Sequence, residues 1–384
     1  MLLKNAEIQV FRLDNTHFEP LGQINKFTSL IWPDRYDGYS QFELNAPINQ
    51  ENKELIKKGN VIWCGGDNAA IIEIIQADTK ENGQRVFKVK GRTLEMILTT
   101  RIIWGPYSCV DKKTSTIMYE IVNESCINSV IVNRNIPWLE CAEDELFGIS
   151  TSFQKTGGEV YDVLQSLAVE AELGFCILFR PIEKKLIFKV LSGIDRTIMP
   201  LSGDADNSNL VIFSTDLEDI LSSSYYTNDQ DTKNVALVAG EGEGAERKYD
   251  TTGDYVTSGF MRRELYVDAR DLQSEVYDTE GNVTVISPPE YQKMLDARGN
   301  EKLAERKSVE SFEAKMRVTG DVQYKYGVDY FKGDKVFVHD SDLDVLVMAT
   351  VSEVSESFSD KYSFDVTFGF SYPTLMQKIK QQIL

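Results

Sequence analysis

The chain has 384 residues, 42% of them hydrophobic, which is enough to build two to four domains with ordered cores. Its formal net charge of −19 argues against a passive binder of nucleic acid or anionic membranes, because affinity for phosphate comes mainly from clustered Lys and Arg. No apolar run is long enough to cross a bilayer, and Lys4 and Glu7 interrupt the segment where a signal peptide needs an apolar core. We therefore expect synthesis in a cytoplasm, without a membrane anchor.

Alternating apolar positions run through residues 5–98 and predict a β-rich domain over residues 1–104. Near the C-terminus the same order recurs: strand, turn, apolar strand, turn, alternating strand, Gly. In this alignment Gly59–Gly91 corresponds to Gly333–Gly369. We interpret the recurrence as a weak internal duplication, which predicts a second, similar β domain within residues 206–384.

Helical periodicity separates the two β-rich parts. Apolar residues four positions apart predict amphipathic helices over Ser115–Ile127 and Gly158–Leu173, the second of which Gly174 would end as the C′ residue. Phe175–Phe179 and Leu186–Leu191 follow as a predicted hairpin. Residues 105–205 therefore form a predicted α/β module.

Three further segments bear on the organisation of the C-terminal part. Ser202–Asn209 is the best linker candidate, and Glu280–Asn282 forms a second break. Pro288 and Pro289 suit the first turn of a helix that continues to about Lys307, so we predict a helical insertion at about 272–308, although Gly299 weakens the case for an unbroken helix. The last twelve residues, Pro373–Leu384, have one apolar face and need a surface to pack on.

The glycine-rich stretch after the apolar run Val235–Val238 resembles a nucleotide loop only superficially. Gly240, Gly242 and Gly244 predict a flexible tip, but Glu241, Glu243 and Glu246 place three negative charges in it. A phosphate group would be repelled there.

A run of charged residues follows the glycine-rich tip. It permits a solvated or inter-subunit ion-pair network, which such runs usually form, or a carboxylate pair that cleaves polysaccharide. We expect the arginines to pair with the acids. The charged residues are Arg262, Arg263, Glu264, Asp268, Arg270 and Asp271.

Candidate catalytic and metal-binding residues are few. His17 and His339 are the only histidines, and their neighbours predict exposed turns without a nucleophile motif. Asp340, Asp342 and Asp344 imitate the start of a calcium loop that lacks the later ligands, and Asp204 and Asp206 have none at a recognisable spacing. Five widely spaced cysteines without a CxxC predict free thiols: Cys64, Cys109, Cys126, Cys141 and Cys176. We therefore predict no catalytic, cofactor-binding or metal site, and no enzyme.

Several short motifs are similar to those of a known family. VAGEGEG and GFMRRELYVDARDL in the stretch 234–272, together with SGIDRT at Ser192–Thr197, resemble the hub (tail-associated) proteins of siphophages. Tyr36–Leu44 and Gly91–Leu98 are similar to further elements of these proteins. The family is distantly similar to the baseplate hubs of contractile-tailed phages.

The resemblance implies an α+β, mainly β fold with two similar β-barrel-like domains and α/β modules inserted between them. It also implies a homotrimer in the virion tail tip that joins the sixfold tail tube to a threefold spike or fibre and forms part of the DNA conduit. Implied partners are the distal tail, tail tube and tape-measure proteins. The alternative is a cell-wall-directed glycan hydrolase or carbohydrate-binding module, which the many acidic and aromatic residues would suit.

Overall fold

The computed structural model describes residues 7–79, 83–197, 210–217, 220–277, 283–316, 323–342, 345–359 and 361–369. The predicted linker Ser202–Asn209, the break Glu280–Asn282 and the terminal helix Pro373–Leu384 lie outside these residues. The described chain is mainly β with shorter helical parts, which confirms the predicted fold class.

The first β module places seven antiparallel strands and one short helix around a single core. The strands follow the order β3-β4-β7-β6-β5-β1-β2, and every one of them contributes side chains to the same apolar cluster, so the packing is barrel-like. The elements are β1 (Ile8–Leu13), β2 (Phe18–Ile24), β3 (Ser29–Arg35), β4 (Gln41–Pro47), α1 (Gln50–Leu55), β5 (Val61–Trp63), β6 (Ala69–Thr79) and β7 (Arg85–Thr93).

The middle of the chain forms the predicted α/β material. Two small sheets, β10-β8 and β11-β12-β9, pack with two helices around a core that also takes in Phe11 and Phe18 of the first module. A π-helical turn, Asn123–Ile127, extends the first helix over its predicted length. The elements are β8 (Pro106–Lys113), α2 (Thr114–Val122), β9 (Leu139–Cys141), β10 (Ser150–Thr156), α3 (Val160–Glu170), β11 (Gly174–Arg180) and β12 (Lys185–Leu191).

The predicted C′ role of Gly174 is wrong. Helix α3 ends at Glu170, Ala171 is its C-cap residue, and the left-handed residue that follows is Glu172, with φ 56°. Gly174 instead begins β11, where a Cβ atom would lie 2.4 Å from the backbone oxygen of Tyr36. Glycine is needed there because two segments of backbone approach closely.

The second β module carries an inserted unit between its second and third strands. The inserted sheet β16-β15-β17 packs with one helix around its own apolar cluster, and a short hairpin, β18-β19, precedes that helix. The elements are β13 (Ile212–Ser214), β14 (Ile220–Asn228), β15 (Val235–Ala239), β16 (Tyr249–Gly253), β17 (Glu264–Asp268), β18 (Glu275–Tyr277), β19 (Val283–Val285), α4 (Pro288–Ala304), β20 (Val309–Met316), β21 (Lys335–Asp340), β22 (Val345–Phe358) and β23 (Ser363–Gly369).

Helix α4 begins at Pro288, as predicted, and Ser287 and Glu290 form a capping box at its start. The helix is not interrupted at Gly299. A Cβ atom at this position would lie 2.0 Å from Cγ2 of Thr252, so the glycine lets α4 pack directly against the inserted sheet. Close packing therefore explains a residue that helix propensity alone disfavours.

The two β modules share a strand order but differ in one pairing, because β13 runs parallel to β21 whereas β1 runs antiparallel to β5. In the second module the order β14-β20-β23-β22-β21-β13 matches β3-β4-β7-β6-β5-β1 of the first. Gly59 N donates to the Ile72 carbonyl and Ile72 N to the Asn60 carbonyl, both at 2.9 Å. In the second module Gly333 N donates to the Val351 carbonyl at 2.8 Å, and Val351 N to the Asp334 carbonyl at 2.9 Å.

The pairing also corrects one detail of the sequence alignment. Both long strands have a register shift at the same place, between Ile72 and Ile74 in β6 and between Val351 and Glu353 in β22. Ile72 pairs with Gly91, whereas Val351 pairs with Phe368. The structural counterpart of Gly91 is therefore Phe368, one residue before the glycine with which the sequence pattern aligned it.

One strand joins the two modules. The outer half of β22 pairs antiparallel with β3, from Glu353↔Arg35 to Phe358↔Leu30, and so makes a continuous 13-stranded sheet. This pairing runs along β3, and the middle module approaches at the C-terminal end of that strand.

Candidate functional site

The end of β3 is the point where the two β modules and the middle module meet. We call this region the junction and define it by Asp34–Tyr36, Gly193–Arg196 and Lys332–Asp334. The Tyr36 hydroxyl accepts a hydrogen bond from Gly193 N at 3.1 Å and donates to the Leu191 carbonyl at 3.1 Å. Burial raises the pKa of Tyr36 to about 12, so the hydroxyl keeps the proton that it donates.

Asp334 holds three parts of the junction with one buried carboxylate. Its Oδ1 accepts from Ile194 N at 2.9 Å, and its Oδ2 accepts from Phe331 N at 3.0 Å and from Arg196 Nε at 2.5 Å. The side chains of Arg196 and Asp334 are only 5% and 3% exposed. Such an ion pair is weakly screened, and removing one partner leaves a charge in a poorly solvated site.

A second, half-buried ion pair joins Lys332 to the end of β3. Lys332 Nζ pairs with the Asp34 carboxylate and donates to the Arg35 carbonyl at 3.0 Å. Burial alone would lower the pKa of Lys332, but the adjacent Asp34 carboxylate outweighs it and raises that pKa above its ordinary value. The ammonium therefore stays charged and ties the second β module to β3.

Glycines allow these segments to approach. A Cβ atom on Gly193 would lie 1.7 Å from the Gly333 carbonyl oxygen, and one on Gly333 would lie 2.4 Å from Cε2 of Tyr36. Gly333 also has φ +95°, in the left-handed region that favours glycine. The glycines therefore let three segments of the junction pack closely, and two ion pairs, Arg196–Asp334 and Lys332–Asp34, join these segments.

The sequence pointed to part of the junction only through the resemblance to hub proteins. The motifs Tyr36–Leu44 and SGIDRT both contribute residues to it, whereas Lys332 and Asp334 were not predicted to have any role. The internal duplication contained the signal, since it aligns Lys58-Gly59-Asn60 with Lys332-Gly333-Asp334. The two triplets differ only in their third residue, so the carboxylate of Asp334, where the first copy has Asn60, distinguishes the copy that forms the junction.

The glycine-rich tip of the stretch 234–272 is a closed turn between β15 and β16. Gly240 N donates to the Lys248 carbonyl at 2.8 Å, and Glu241 N donates to the Tyr291 hydroxyl at 2.9 Å. The Glu241 carboxylate in turn accepts from Ser274 N at 2.8 Å. Burial opposes ionisation of Glu241, but hydrogen bonds from Lys248 and Ser274 outweigh it and lower the pKa. The tip is thus an acidic structural turn.

The arginines of the charged run form some of the predicted ion pairs. Arg262 pairs with Glu264 at 2.6 Å and Arg270 pairs with Asp268 at 2.6 Å. Arg263 instead donates to the backbone carbonyl of Asp229.

Asp271 has a partner that the sequence did not indicate. Its two carboxylate oxygens each accept a 3.0 Å hydrogen bond from Arg298 of α4. Because Arg298 is buried, this bidentate pair fastens the charged run to the helix from within.

The two histidines lie in different environments. His17 is in the predicted turn, where its Nδ1 lies 2.9 Å from Oδ1 of Asp14. The prediction for His339 is wrong, because this residue is half-buried within β21, with its Nδ1 3.3 Å from the Ser214 hydroxyl. Its sequence neighbours look turn-like, but pairing with β13 and β22 continues the strand through it.

The aspartates of the imitation calcium loop are used in local structure. The Asp340 carboxylate accepts from Asp342 N at 3.1 Å and from the Ser223 hydroxyl at 3.2 Å. Asp344, Asp204 and Asp206 lie outside the described residues. Among the residues that are described, no three His, Cys, Asp or Glu side chains are grouped so as to hold a metal ion.

The five cysteines are free thiols, as predicted, and all are buried except the half-buried Cys141. Within the described ranges, no helix is long and apolar enough to cross a membrane.

A titratable carboxyl group lies where α3 approaches α4. Burial, with a contribution from the Glu301 carboxylate, raises the pKa of Glu170 to about 7. An unfolded Glu titrates near pH 4.3, so the folded state binds this proton more tightly and the protein loses stability as pH rises through about 7. We expect Glu170→Gln to leave the free energy of unfolding unchanged at pH 4 and to raise it by about 1–3 kcal/mol at pH 8.

Urea unfolding at the two pH values measures this difference. Glu183→Gln, in the exposed turn after β11, is the matched control and should have no pH-dependent effect. An equal gain for Glu170→Gln at both pH values would contradict the assignment.

Solved structures of similar fold come from phage and prophage tails. A tail protein from Neisseria meningitidis aligns with a TM-score of 0.53 at 12% identity, over 95% of this chain and 96% of that one. The prophage tail protein gp18 from Listeria monocytogenes aligns with a TM-score of 0.52 at 10% identity, over 98% of both chains. The prophage MuSo2 43 kDa tail protein from Shewanella oneidensis aligns with a TM-score of 0.52 at 11% identity, over 94% of this chain and 97% of that one.

No curated protein sequence matches the chain. A family model, however, matches it over nearly its whole length. Residues 7–370 fit the model of the Siphovirus ReqiPepy6 Gp37-like proteins, which confirms the siphophage tail resemblance of the sequence motifs. The chain is therefore a phage tail protein and belongs to the Siphovirus ReqiPepy6 Gp37-like family.

Proposed function

We propose that the protein is the structural hub of a phage or prophage tail tip. In this proposal three chains form a ring that joins the sixfold tail tube to a threefold spike or fibre. The observation that carries the proposal is the matching strand order of the two β modules. Three chains with two similar modules each present six similar units, which suits a sixfold tube while the ring itself keeps threefold symmetry.

The junction supports this role mechanically. A part that joins a tube to a spike must hold its two modules at a fixed angle. Strand pairing between β22 and β3, the buried ion pair at Asp334 and the half-buried ion pair at Lys332 hold the modules together by hydrogen bonds and charges rather than by a flexible linker. We also propose the division into residues 1–104, 105–205 and 206–384, the last with a helical insertion at about 272–308.

The proposal extends to location and partners. The protein would act in the virion tail tip after synthesis in the host cytoplasm, in contact with the distal tail, tail tube and tape-measure proteins. Three copies of a chain with net charge −19 would give a conduit wall to which DNA does not adhere, since adhesion needs a basic track. The role is structural rather than enzymatic.

Light scattering coupled to size-exclusion chromatography tests the assembly. We expect a particle of three 43.5 kDa chains, either for the purified protein alone or after addition of the tail tube protein. A particle that stays monomeric at high concentration in the presence of the tube protein would contradict the hub proposal. Wall-digestion assays should show no release of muropeptides, and release that is lost on mutating one carboxylate would overturn the structural role.

A further inference from the structure

The strands equivalent to β22 and β3 are β6 and β14, and within the described residues each of them has one outer edge that no strand pairs with. Beyond its register shift, β6 pairs with β7 on one side only, and β5 covers the other side no further than Ile71. Similarly, β14 pairs with β20 on one side and ends the sheet. Within the described residues, no strand pairs with the outer edge of Ile74–Thr79 or of β14.

The hydrogen-bond register fixes which residues correspond. Leu30 pairs with Leu44, which pairs with Val89, two residues before Gly91. In the second module, Ser223 pairs with Ala314, which pairs with Val366, two residues before Phe368. Because Gly91 and Phe368 are counterparts, Leu30–Arg35 corresponds to Ser223–Asn228. By the same register, Glu353–Phe358 corresponds to Ile74–Thr79.

Burial separates the paired edges from their counterparts. Four of the six residues Leu30–Arg35 are buried, whereas three of the six residues Ser223–Asn228 are exposed and none is buried. None of Glu353–Phe358 is exposed, whereas four of Ile74–Thr79 are. Positions that are mostly covered where β22 pairs with β3 are thus more exposed at the equivalent places in β6 and β14.

The outer edge of β14, which no strand of the described ranges covers, lacks the usual features that prevent strand pairing. Proteins usually guard exposed strand edges with charged residues, prolines or bulges. The sequence of β14, ILSSSYYTN, contains neither a charge nor a proline, and its register shift lies at the Ile220 end, before Ser222. A flat, uncharged edge of this kind favours the addition of another strand.

We infer that Ile74–Thr79 of one copy pairs antiparallel with Ser223–Asn228 of a second copy, from Ile74↔Asn228 to Thr79↔Ser223. The contact repeats between chains the pairing that β22 and β3 make within one chain. Because the two edges lie on different modules, the contact is head-to-tail and closes into a ring when the rotation permits. This inference rests on the proposed hub assembly and specifies its interface.

A designed disulfide tests the register. The register places Asp78 opposite Ser224, so the double variant Asp78→Cys/Ser224→Cys should form disulfides between chains under mild oxidation, giving covalent dimers and trimers on a non-reducing gel. The intrachain counterpart, Ile31→Cys/Ser357→Cys, is the matched control, since these residues pair directly in the structure. It should oxidise within one chain, and each single variant should give no ladder.

The outcomes distinguish an error in the inferred strand pairing from an error in the proposed trimer. If the control oxidises and the double variant does not, the inferred pairing is wrong, and a trimer seen by light scattering would still uphold the hub proposal. If the double variant forms no disulfide between chains and light scattering detects no trimer, both the inferred pairing and the hub proposal fail. A ladder that extends beyond trimers would support the strand pairing and contradict the closed ring.

A second pair of variants avoids engineered cysteines. Ile74 is 52% exposed, so Ile74→Lys should leave the fold intact and shift the protein from trimer to monomer. Ile182→Lys, at a side chain that is 93% exposed in the turn between β11 and β12, should leave the trimer unchanged. Trimers of normal stability with Ile74→Lys would overturn the inference.

Discussion

Asp334→Ala is expected to lower the free energy of unfolding by about 3–5 kcal/mol, the cost of breaking a buried ion pair by removing one partner. The change removes the carboxylate from Arg196, whose side chain is 5% exposed. It also removes the acceptor of the amides of Ile194 and Phe331. A buried donor that loses its acceptor keeps its full desolvation penalty, so these effects act in the same direction. Urea unfolding followed by circular dichroism measures the loss.

The neighbouring carboxylate provides the control. Asp195 is exposed, and among the described contacts its side chain accepts hydrogen bonds only from the amide and hydroxyl of Thr197. Asp195→Ala should therefore cost at most about 1 kcal/mol. If the two variants lose similar amounts of stability, Asp334 is not the centre of the junction and the modules are held mainly by the β22–β3 pairing.

Gly193→Ala should be at least as disruptive as a typical overpacked core variant and cost about 3 kcal/mol or more. The added methyl group would lie 1.7 Å from the Gly333 carbonyl oxygen and 2.8 Å from the Asp334 amide nitrogen. Both atoms belong to the backbone, so no side chain can rotate away to relieve the clash. The segment must move, and movement breaks the hydrogen bond from Gly193 N to the Tyr36 hydroxyl.

Thermal and urea unfolding of Gly193→Ala can be compared with Ser192→Ala. Ser192 is exposed and precedes the close approach by one residue, so its truncation should change stability by less than about 0.5 kcal/mol. A tolerated alanine at 193 would show that the backbone of Gly193–Arg196 is farther from Gly333 than the structure places it.

Local signals in the sequence predicted most of the helices and strands but not the junction between the modules. Periodicity located α2, α3 and the β11–β12 hairpin, because the spacing of apolar residues reflects which side of each element faces a core. The duplication was visible because both modules repeat a strand pattern around Gly59 and Gly333. These features depend on residues close together in the chain.

What the sequence could not provide depends on residues far apart. Asp334 and Arg196 are separated by 138 positions, and no spacing rule links them. His339 was misplaced because polar neighbours suggested a turn, while pairing with two distant strands keeps it in β21. Gly174 and Gly299 were interpreted from helix rules, although close contacts with Tyr36 and Thr252 explain their small size. Tertiary packing overrode local propensity at each of these sites.

The pairing between β22 and β3 also affects the order in which the chain can fold on the ribosome. Arg35 pairs with Glu353, and the strand that carries Glu353 cannot dock until synthesis has passed that residue. At about 5–20 residues per second, the exposed edge of β3 waits roughly 15–60 s for its partner. During that time it can capture the β22 strand of another nascent chain and produce a swapped pair. Expression conditions that slow translation or crowd nascent chains should therefore favour strand-swapped pairs over chains in which β22 and β3 of the same chain are paired.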